Sequence, residues 1–347
     1  LQLGGMERVM SELAGYFCGK DNIDVHLVLY GRSIKMFYEV PKEIIIHKPG
    51  SAFNDSFRFL STVRRLFFLR KSIKEIKPDS VLSFGEYWNS FVLLALINLP
   101  YSVFISDRCS PTKRFDFKHT LLRRYLYPKA KGIIAQTDFA KYIYNQQFSH
   151  SNICVIGNPI RFVVSDKTKK EKIVLNIGRL IKSKNQNRLI EIFSHINRPD
   201  WTLVIVGGDA LQQNNMARLQ NLVNSSATTS KIILEGPQSE LERFYQSSSI
   251  FAFTSDSEGF PNVIGEALSA GLPVVSYDCV AGPSEMITDG ENGFLIPVFE
   301  DDKFQEKLTL LMDNGPLLEQ MSQNAKESIE KFSIESIGQQ YLQFILR

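Results

Sequence analysis

Cysteine is scarce and scattered in this 347-residue chain: Cys18, Cys109, Cys154 and Cys279 are the only four, and no two form a C-x-x-C pair. Such spacing excludes a disulfide scaffold and a zinc-ribbon site and fits a reducing cytoplasm. Long apolar runs are missing too. The longest, Phe91 to Ile105, is broken by Asn98 and Pro100 and falls short of a membrane span. No signal-peptide pattern opens the chain. It begins without Met on Leu1-Gln2-Leu3-Gly4-Gly5, which reads as the end of a first strand, so a few upstream residues are expected to be missing. There is no G-x-G-x-x-G with a ribose-binding acid about 20 residues on, which sets aside a dinucleotide dehydrogenase.

An excess of one charge is missing overall, since the net charge is +3. The halves differ, however. Residues 1–165 carry 23 Lys and Arg against 13 Asp and Glu, whereas residues 166–347 carry 17 against 24. A basic first half points to an anionic partner there, a phosphate-bearing substrate or an acidic membrane surface. No nucleic-acid motif accompanies that charge, so nucleic acid is not an expected partner.

What is present is ordinary globular material, 44% hydrophobic and 22% charged, in a length that suggests two domains. Gly4-Gly5-Met6-Glu7-Arg8 opens a helix to about Gly19, with Val9, Leu13 and Phe17 at helical spacing. Residues 25–30 and 44–46 read as strands. Phe57 to Lys77 reads as a long helix with Leu60, Val63, Phe67, Ile73 and Ile76 toward a core, ended by Pro78. Its basic residues, among them Arg64, Arg65, Arg70 and Lys71, make either a solvated face or a surface for diphosphate or acidic lipid headgroups.

Residues 79–84 and 101–106 are strands whose polar ends, Gly85-Glu86-Tyr87-Trp88-Asn89 and Asp107-Arg108, fall where open α/β sheets bind ligands. A second basic, aromatic segment runs from Lys113 to Lys131. Strands at 132–137 and 153–156 complete this half, and Gly157-Asn158-Pro159 breaks the chain before a linker to Lys172.

Strand–helix alternation then restarts. Residues 173–177 lead into Gly178-Arg179-Leu180-Ile181-Lys182-Ser183-Lys184-Asn185, residues 201–206 into Gly207-Gly208-Asp209, and residues 231–234 into Gly236-Pro237. The stretch Ser255 to Gly271, SDSEGFPNVIGEALSAG, lies between two apolar strands. It reads as a tight loop and a short helix, with Pro261 suited to the first helical turn and Gly271 to the turn beyond the last. Free backbone N–H groups across Gly259 to Val263 at a helix start form a natural anion site. Glu258 and Glu266 frame it, eight positions apart. On one continuous helix they would sit roughly 80° apart on a solvated face.

The segment Glu258-Gly259-Phe260-Pro261-Asn262-Val263-Ile264-Gly265-Glu266 resembles the E-x7-E donor signature of the retaining glycosyltransferases of family 4. Gly4-Gly5-Met6-Glu7-Arg8, Asn158-Pro159, Gly178-Arg179-Leu180 with Lys184-Asn185, and Gly282-Pro283-Ser284-Glu285 occur in that family's order. The layout is similar to the branch that builds bacterial exopolysaccharide, capsule and lipopolysaccharide, and to the polyprenyl-diphosphate α-N-acetylgalactosaminyltransferases.

The resemblance implies an α/β GT-B fold, two Rossmann-like doubly wound parallel-sheet domains facing across a cleft. Residues 1–160 would bind acceptor and 161–332 the nucleotide sugar, with a helix at 333–347 packing back on the first domain. It implies that Arg179 and Lys184 neutralise the donor diphosphate, that Glu266 holds the ribose hydroxyls and that Glu258 faces the transferred sugar. Gly4, Gly5, Gly178, Gly236, Pro237 and the backbone of Gly259 to Val263 would complete the donor site, with Gly236 and Pro237 at the base. Acceptor contacts are expected from Glu86, Asn89, Asp107 and Arg108, together with the basic helix.

Many relatives carry a His where this chain has Asp107-Arg108. Acceptor positioning and a structural ion pair are both open for these two. No D-x-D motif is present, so no metal or other cofactor is expected. The expected reaction moves a hexose or N-acetylhexosamine, Gal or GalNAc type favoured, from a UDP-sugar to a lipid-diphosphate-linked or oligosaccharide acceptor. The expected location is cytoplasmic, on the inner face of the cell membrane. A nucleotide-sugar epimerase and a non-catalytic nucleotide-sugar-binding protein are the alternatives.

Overall fold

A computed structural model of the chain describes residues 5–30, 38–50, 58–164, 170–210 and 212–347. The expected first strand, Gly4 and Phe57 lie outside the described residues. The chain divides into two compact units, Leu1–Pro159 with Ile334–Arg347, and Ile160–Ser333.

In the first unit the elements run α1 (Gly5–Cys18), β1 (His26–Val28), β2 (Ile45–His47), α2 (Arg58–Ile76), β3 (Ser80–Phe84), α3 (Glu86–Ala95), β4 (Ser102–Ser106), α4 (Phe117–Leu126), β5 (Gly132–Ala135), α5 (Asp138–Phe148) and β6 (Ile153–Val155). All of its strand pairings are parallel. Instead of one doubly wound sheet, its described strands form two: β1 with β2, and β3-β4-β5-β6 in sequential order. His26 to Val28 of one and Ser80 to Phe84 of the other line a single cavity of about 560 Å³. Local chemistry fixes the helix starts. Asp116 caps α4 by accepting from the His119 N–H at 3.1 Å, and Thr137 caps α5 by accepting from that of Ala140 at 3.0 Å.

The second unit contains β7 (Ile173–Ile177), α6 (Gln186–Ile196), β8 (Thr202–Val206), α7 (Asn215–Ser225), β9 (Lys231–Gly236), α8 (Glu242–Ser247), β10 (Ile250–Phe253), α9 (Asn262–Ser269), β11 (Val274–Tyr277), α10 (Pro283–Met286), β12 (Gly293–Ile296), α11 (Asp301–Asp313) and α12 (Gly315–Ser328). Its six described strands form one parallel sheet in the order β12-β11-β10-β7-β8-β9. The chain therefore winds outward from β7 through β8 to β9, then crosses back to β10 and winds the other way. The two directions part between β7 and β10, the topological switch point at which open α/β sheets form a ligand crevice. β10 and β11 are buried at every position, which explains their continuous apolar runs.

The last helix, α13 (Ile334–Ile345), belongs to the first unit and packs on α1. The faces of these two helices are written at helical spacing: Val9, Leu13 and Phe17 on α1, and Ile337, Tyr341, Phe344 and Ile345 on α13, are all buried.

Helix α2 departs from its expected orientation. Leu60 and Phe67 do not face the core but are 53% and 69% exposed. With Arg64, Lys71 and Lys74, also exposed, they form an outward stripe, while Leu69 and Ile73 are buried. Among the described residues, no helix is long and apolar enough to cross a membrane.

Candidate active site

Of the residues expected at the donor site of the second unit, Gly178, Arg179, Lys184 and Glu258 come together at the switch point. β7 ends in Gly178-Arg179, and a 3₁₀ turn over Lys182–Lys184 follows. The loop after β10 carries Glu258. Because β7 and β10 are hydrogen-bonded neighbours, the two loops leave the sheet side by side.

Three hydrogen bonds stitch them together: Asp256 N–H to Ser183 O at 3.0 Å, Thr254 Oγ1 to Lys184 O at 2.9 Å, and Asn185 Nδ2 to Asp256 Oδ2 at 3.1 Å. On that frame Lys184 Nζ donates to Glu258 Oε1 at 2.5 Å, both side chains largely buried. The ammonium also lies 5.2 Å from the Phe253 ring centroid. Arg179 is exposed. Beside this pair, burial first and the Glu258 charge second push the Cys279 thiol up to about 12.

Loops at the ends of β7, β8 and β9 are knit by backbone. Gly178 N–H donates to Val206 O at 3.0 Å, Leu180 N–H to Gly208 O at 2.9 Å and Gly207 N–H to Gly236 O at 2.9 Å. A side chain on Gly207 would overlap the Gly178 carbonyl, so this close weave requires glycine there. Pro237 packs next to Gly208, at the outer end of the row.

Helix α9 starts one residue later than expected, with Pro261 at the cap position before Asn262. Asn262 N–H is spent on the Phe260 carbonyl at 3.0 Å. Among the described residues, the N–H groups of Gly259, Phe260 and Val263 have no backbone acceptor, and these three are the donors the loop presents. Glu266 sits on α9, 5% exposed, and accepts from Tyr245 Oη of α8 at 2.8 Å. Tyr245 carries no motif signal and the sequence reading missed it. Only its placement in the fold brings it to Glu266.

The first unit requires corrections. Asp107 and Arg108 do not pair with each other. The Asp107 carboxylate is buried and pairs with Arg123 of α4; it also accepts from Asn89 Nδ2 at 2.9 Å and Tyr127 Oη at 2.6 Å. Asn89 is itself fully buried and donates to Ser106 O at 3.0 Å. Asp107 and Asn89 are thus locked in the interior rather than turned toward an acceptor.

Arg108 donates to Asn158 Oδ1 and, at 2.8 Å, to Tyr341 Oη, while its guanidinium covers the Phe84 ring at 4.0 Å. It joins the end of β4, the Asn158-Pro159 turn and α13. Arg70 is diverted as well: it donates to Ala95 O at 2.8 Å and Ile97 O at 3.0 Å, satisfying carbonyls at the end of α3. Arg65 lines the cavity that β1 and β3 share. Of the four basic residues expected at a membrane face, only Arg64 and Lys71 are exposed.

Glu86 remains at the C-terminal edge of β3, where Lys113 donates to it at 2.6 Å. Burial works against the Glu86 charge, but the Lys113 hydrogen bond and charge outweigh it and hold the carboxyl below its usual range. Lys113 lies near the Tyr87 and Phe115 rings, and His119 packs between those aromatics. Gly5 is exposed at the start of α1.

Two parallel-sheet units with loops gathered at the carboxyl ends of their strands define the GT-B class. The model of glycosyl transferases group 1 matches residues 159–328 and that of Glycosyltransferase Family 4 matches residues 3–162. The chain belongs to the glycosyltransferases of family 4.

It is 26% identical to the amylovoran biosynthesis glycosyltransferase AmsD of Erwinia amylovora, over 96% of this chain and 93% of the relative. It is 25% identical, over 99% and 96%, to a Campylobacter jejuni α-1,4-N-acetyl-D-galactosaminyltransferase acting on a GalNAc-containing diNAcBac-PP-undecaprenol. The crystal structure of Anabaena HepE in complex with UDP superposes with a TM-score of 0.81 at 17% identity, over 99% of this chain and 96% of that one.

Proposed function

We propose that this glycosyltransferase works in bacterial surface polysaccharide or glycoprotein glycan assembly. It moves a hexose or N-acetylhexosamine from a UDP-sugar to a polyprenyl-diphosphate-linked or other glycan acceptor, with retention and without a metal. The Lys184–Glu258 pair at the switch point carries this reading. A cation and a carboxylate held on adjacent strand ends suit a reaction in which negative charge grows on a leaving diphosphate while positive charge grows on a sugar ring.

Lys184 is engaged by Glu258, and Arg179 stands exposed on the preceding loop. A diphosphate bound between Arg179 and Lys184 would draw the ammonium toward its own oxygens. That releases a Glu258 oxygen to accept from a hydroxyl of the transferred sugar. As the glycosidic bond breaks, Arg179, Lys184 and the loop N–H groups of Gly259, Phe260 and Val263 stabilise the leaving group, the task a metal performs elsewhere. Glu266, held by Tyr245, accepts from the ribose hydroxyls, and the Gly236-Pro237 backbone meets the base. A relative that acts on an undecaprenol-linked glycan, and another of amylovoran biosynthesis, support the acceptor class. The outward stripe of Leu60, Arg64, Phe67, Lys71 and Lys74 supports peripheral attachment to the inner membrane face.

A panel of radiolabelled nucleotide sugars, each offered with and without a lipid-diphosphate acceptor, tests the reading. One UDP-sugar should label the acceptor with the anomeric configuration kept. An inverted product, or interconversion of the donor without acceptor, would overturn it.

A further inference from the structure

Helix α9 carries a glycine in its interior, where glycine is less favourable than alanine: Gly265 stands directly before Glu266. Packing gives the reason. A methyl group on Gly265 would lie 2.6 Å from both Cδ1 and Cγ1 of Ile160, so the Ile160 side chain already fills that space. Ile160 is buried, and the chain after it follows the helix for one turn. Val163 N–H donates to Ser269 Oγ at 3.0 Å, and that hydroxyl donates to Glu266 O at 2.8 Å. Gly265 and Ser269 are four apart and share this face of α9. Glu266 is turned about 100° away from Gly265, toward Tyr245.

A second contact reaches the loop that precedes the helix. Ile160 N–H donates to Phe332 O at 2.9 Å, which joins the first residue of the second unit to its last turn, Glu330–Phe332. The Phe332 ring meets the Phe260 ring edge-on, with centroids 5.5 Å apart, and both are buried. Phe260 lies at the middle of the loop, between Gly259 and Pro261. A bridge between Ser257 and Val280 ties that loop as well, but only at its start. Phe332 therefore braces the stretch that presents the N–H groups of Gly259, Phe260 and Val263, and Ile160 braces the helix behind it.

We infer that Ile160 and Phe332 are positioning residues for the transfer reaction. Acting through Gly265 and Phe260, they fix where Glu266 and the loop N–H groups stand. The inference rests on the reading of this loop as the diphosphate site. N–H groups aimed at a leaving diphosphate matter most as its charge grows, and a displacement of about 1 Å can cost on the order of 100-fold in rate. Loosening either brace should act on kcat before KM.

The test is steady-state transfer from the UDP-sugar that the wild type uses, set beside thermal melting of each variant. Phe332→Leu should lower kcat about tenfold or more, with a smaller change in KM for the UDP-sugar. Phe304→Leu makes the same change at a fully buried position of α11. It should lower the melting temperature and leave kcat at the wild-type value. Gly265→Ala should lower kcat as Phe332→Leu does. Ile160→Ala removes the atoms that the new methyl would strike, so I160A/G265A should regain most of the kcat that G265A loses.

Wild-type kcat in Phe332→Leu would overturn the inference, as would an equal fall in Phe332→Leu and Phe304→Leu. No recovery of kcat in I160A/G265A over G265A would overturn it too. Where G265A fails to fold, the Phe332→Leu and Phe304→Leu pair decides alone. Unchanged variants of an active wild type would strike this inference only. A wild type that transfers from no nucleotide sugar would strike the transferase reading, and this inference with it.

Discussion

Lys184 Nζ lies 2.5 Å from Glu258 Oε1, joining residues 74 positions apart that stand on neighbouring strand ends at the β7/β10 switch point. In the reaction proposed above, Glu258 would have two partners in turn, the ammonium and then the transferred sugar. Glu258→Gln should lower turnover far more than UDP affinity, because the proposed partner of this carboxylate is the transferred sugar and not the nucleotide. Single-turnover rates set beside UDP calorimetry check this. An equal fall in both would make Glu258 a nucleotide-binding or structural residue.

Arg179 should bind the diphosphate by charge-assisted hydrogen bonds, each contributing about 1.5–3 kcal/mol. Arg179→Ala is expected to weaken UDP binding roughly 10- to 100-fold, by 1.4 kcal/mol per tenfold. Unchanged UDP affinity in calorimetry would remove the diphosphate assignment. Turnover of the wild type should also survive EDTA, and its complete loss there would overturn the metal-free reading.

Tyr245 orients Glu266 through its 2.8 Å hydrogen bond. Tyr245→Phe removes a donor to a buried carboxylate, a loss of about 1–3 kcal/mol shared between stability and ribose binding. UDP affinity should fall several-fold while affinity for inorganic diphosphate stays constant, since only the ribose contact is disturbed. Equal weakening of both ligands would assign Tyr245 to general packing.

Removing Arg123 leaves the Asp107 carboxylate uncompensated in the interior, so Arg123→Ala should destabilise the fold by about 3–5 kcal/mol. D107N/R123M, which removes both charges, should cost clearly less. Denaturant midpoints decide between them. If the double variant is as unstable as the single one, packing around Arg123 outweighs its charge.

His26 Nδ1 and His47 Nε2 lie 2.8 Å apart across the β1/β2 pair. Burial first, then the neighbouring His47, holds the His26 imidazole below its ordinary 6.5. The unfolded chain therefore takes up the proton before the folded one. The stabilisation is complete above about pH 6.5 and is lost as pH falls through the folded-state value. His26→Asn should flatten the fall in melting temperature on that acid side. An identical pH profile in the variant would show that His26 is not the group responsible.

Much of the second unit was legible along the chain because its signals are local. Buried parallel strands appear as apolar runs, glycines mark their ends, and Glu258, Glu266, Arg179 and Lys184 sit in short motifs at fixed offsets. The first unit was legible in its helices, where α1 and α13 write their buried faces at helical spacing.

Hydrophobicity failed as a guide on α2 and α4. Leu60 and Phe67 were read as core, yet they are exposed, and Arg123 of α4 is buried. Helix rotation is a tertiary quantity, fixed by whichever buried polar pair must be satisfied, and the partner of Arg123 is Asp107, 16 positions away.

The adjacent charges Asp107 and Arg108 show the same limit. Successive residues leaving the end of a strand turn their side chains in different directions. Asp107 goes to α4, and Arg108 goes to Asn158 and the C-terminal helix. Sequence alone settled which residue types gather at each strand end and the family they belong to. Only the three-dimensional fold decided which of them face one another, because a hydrogen bond is chosen by distance and direction, and the chain order of two residues on different elements encodes neither.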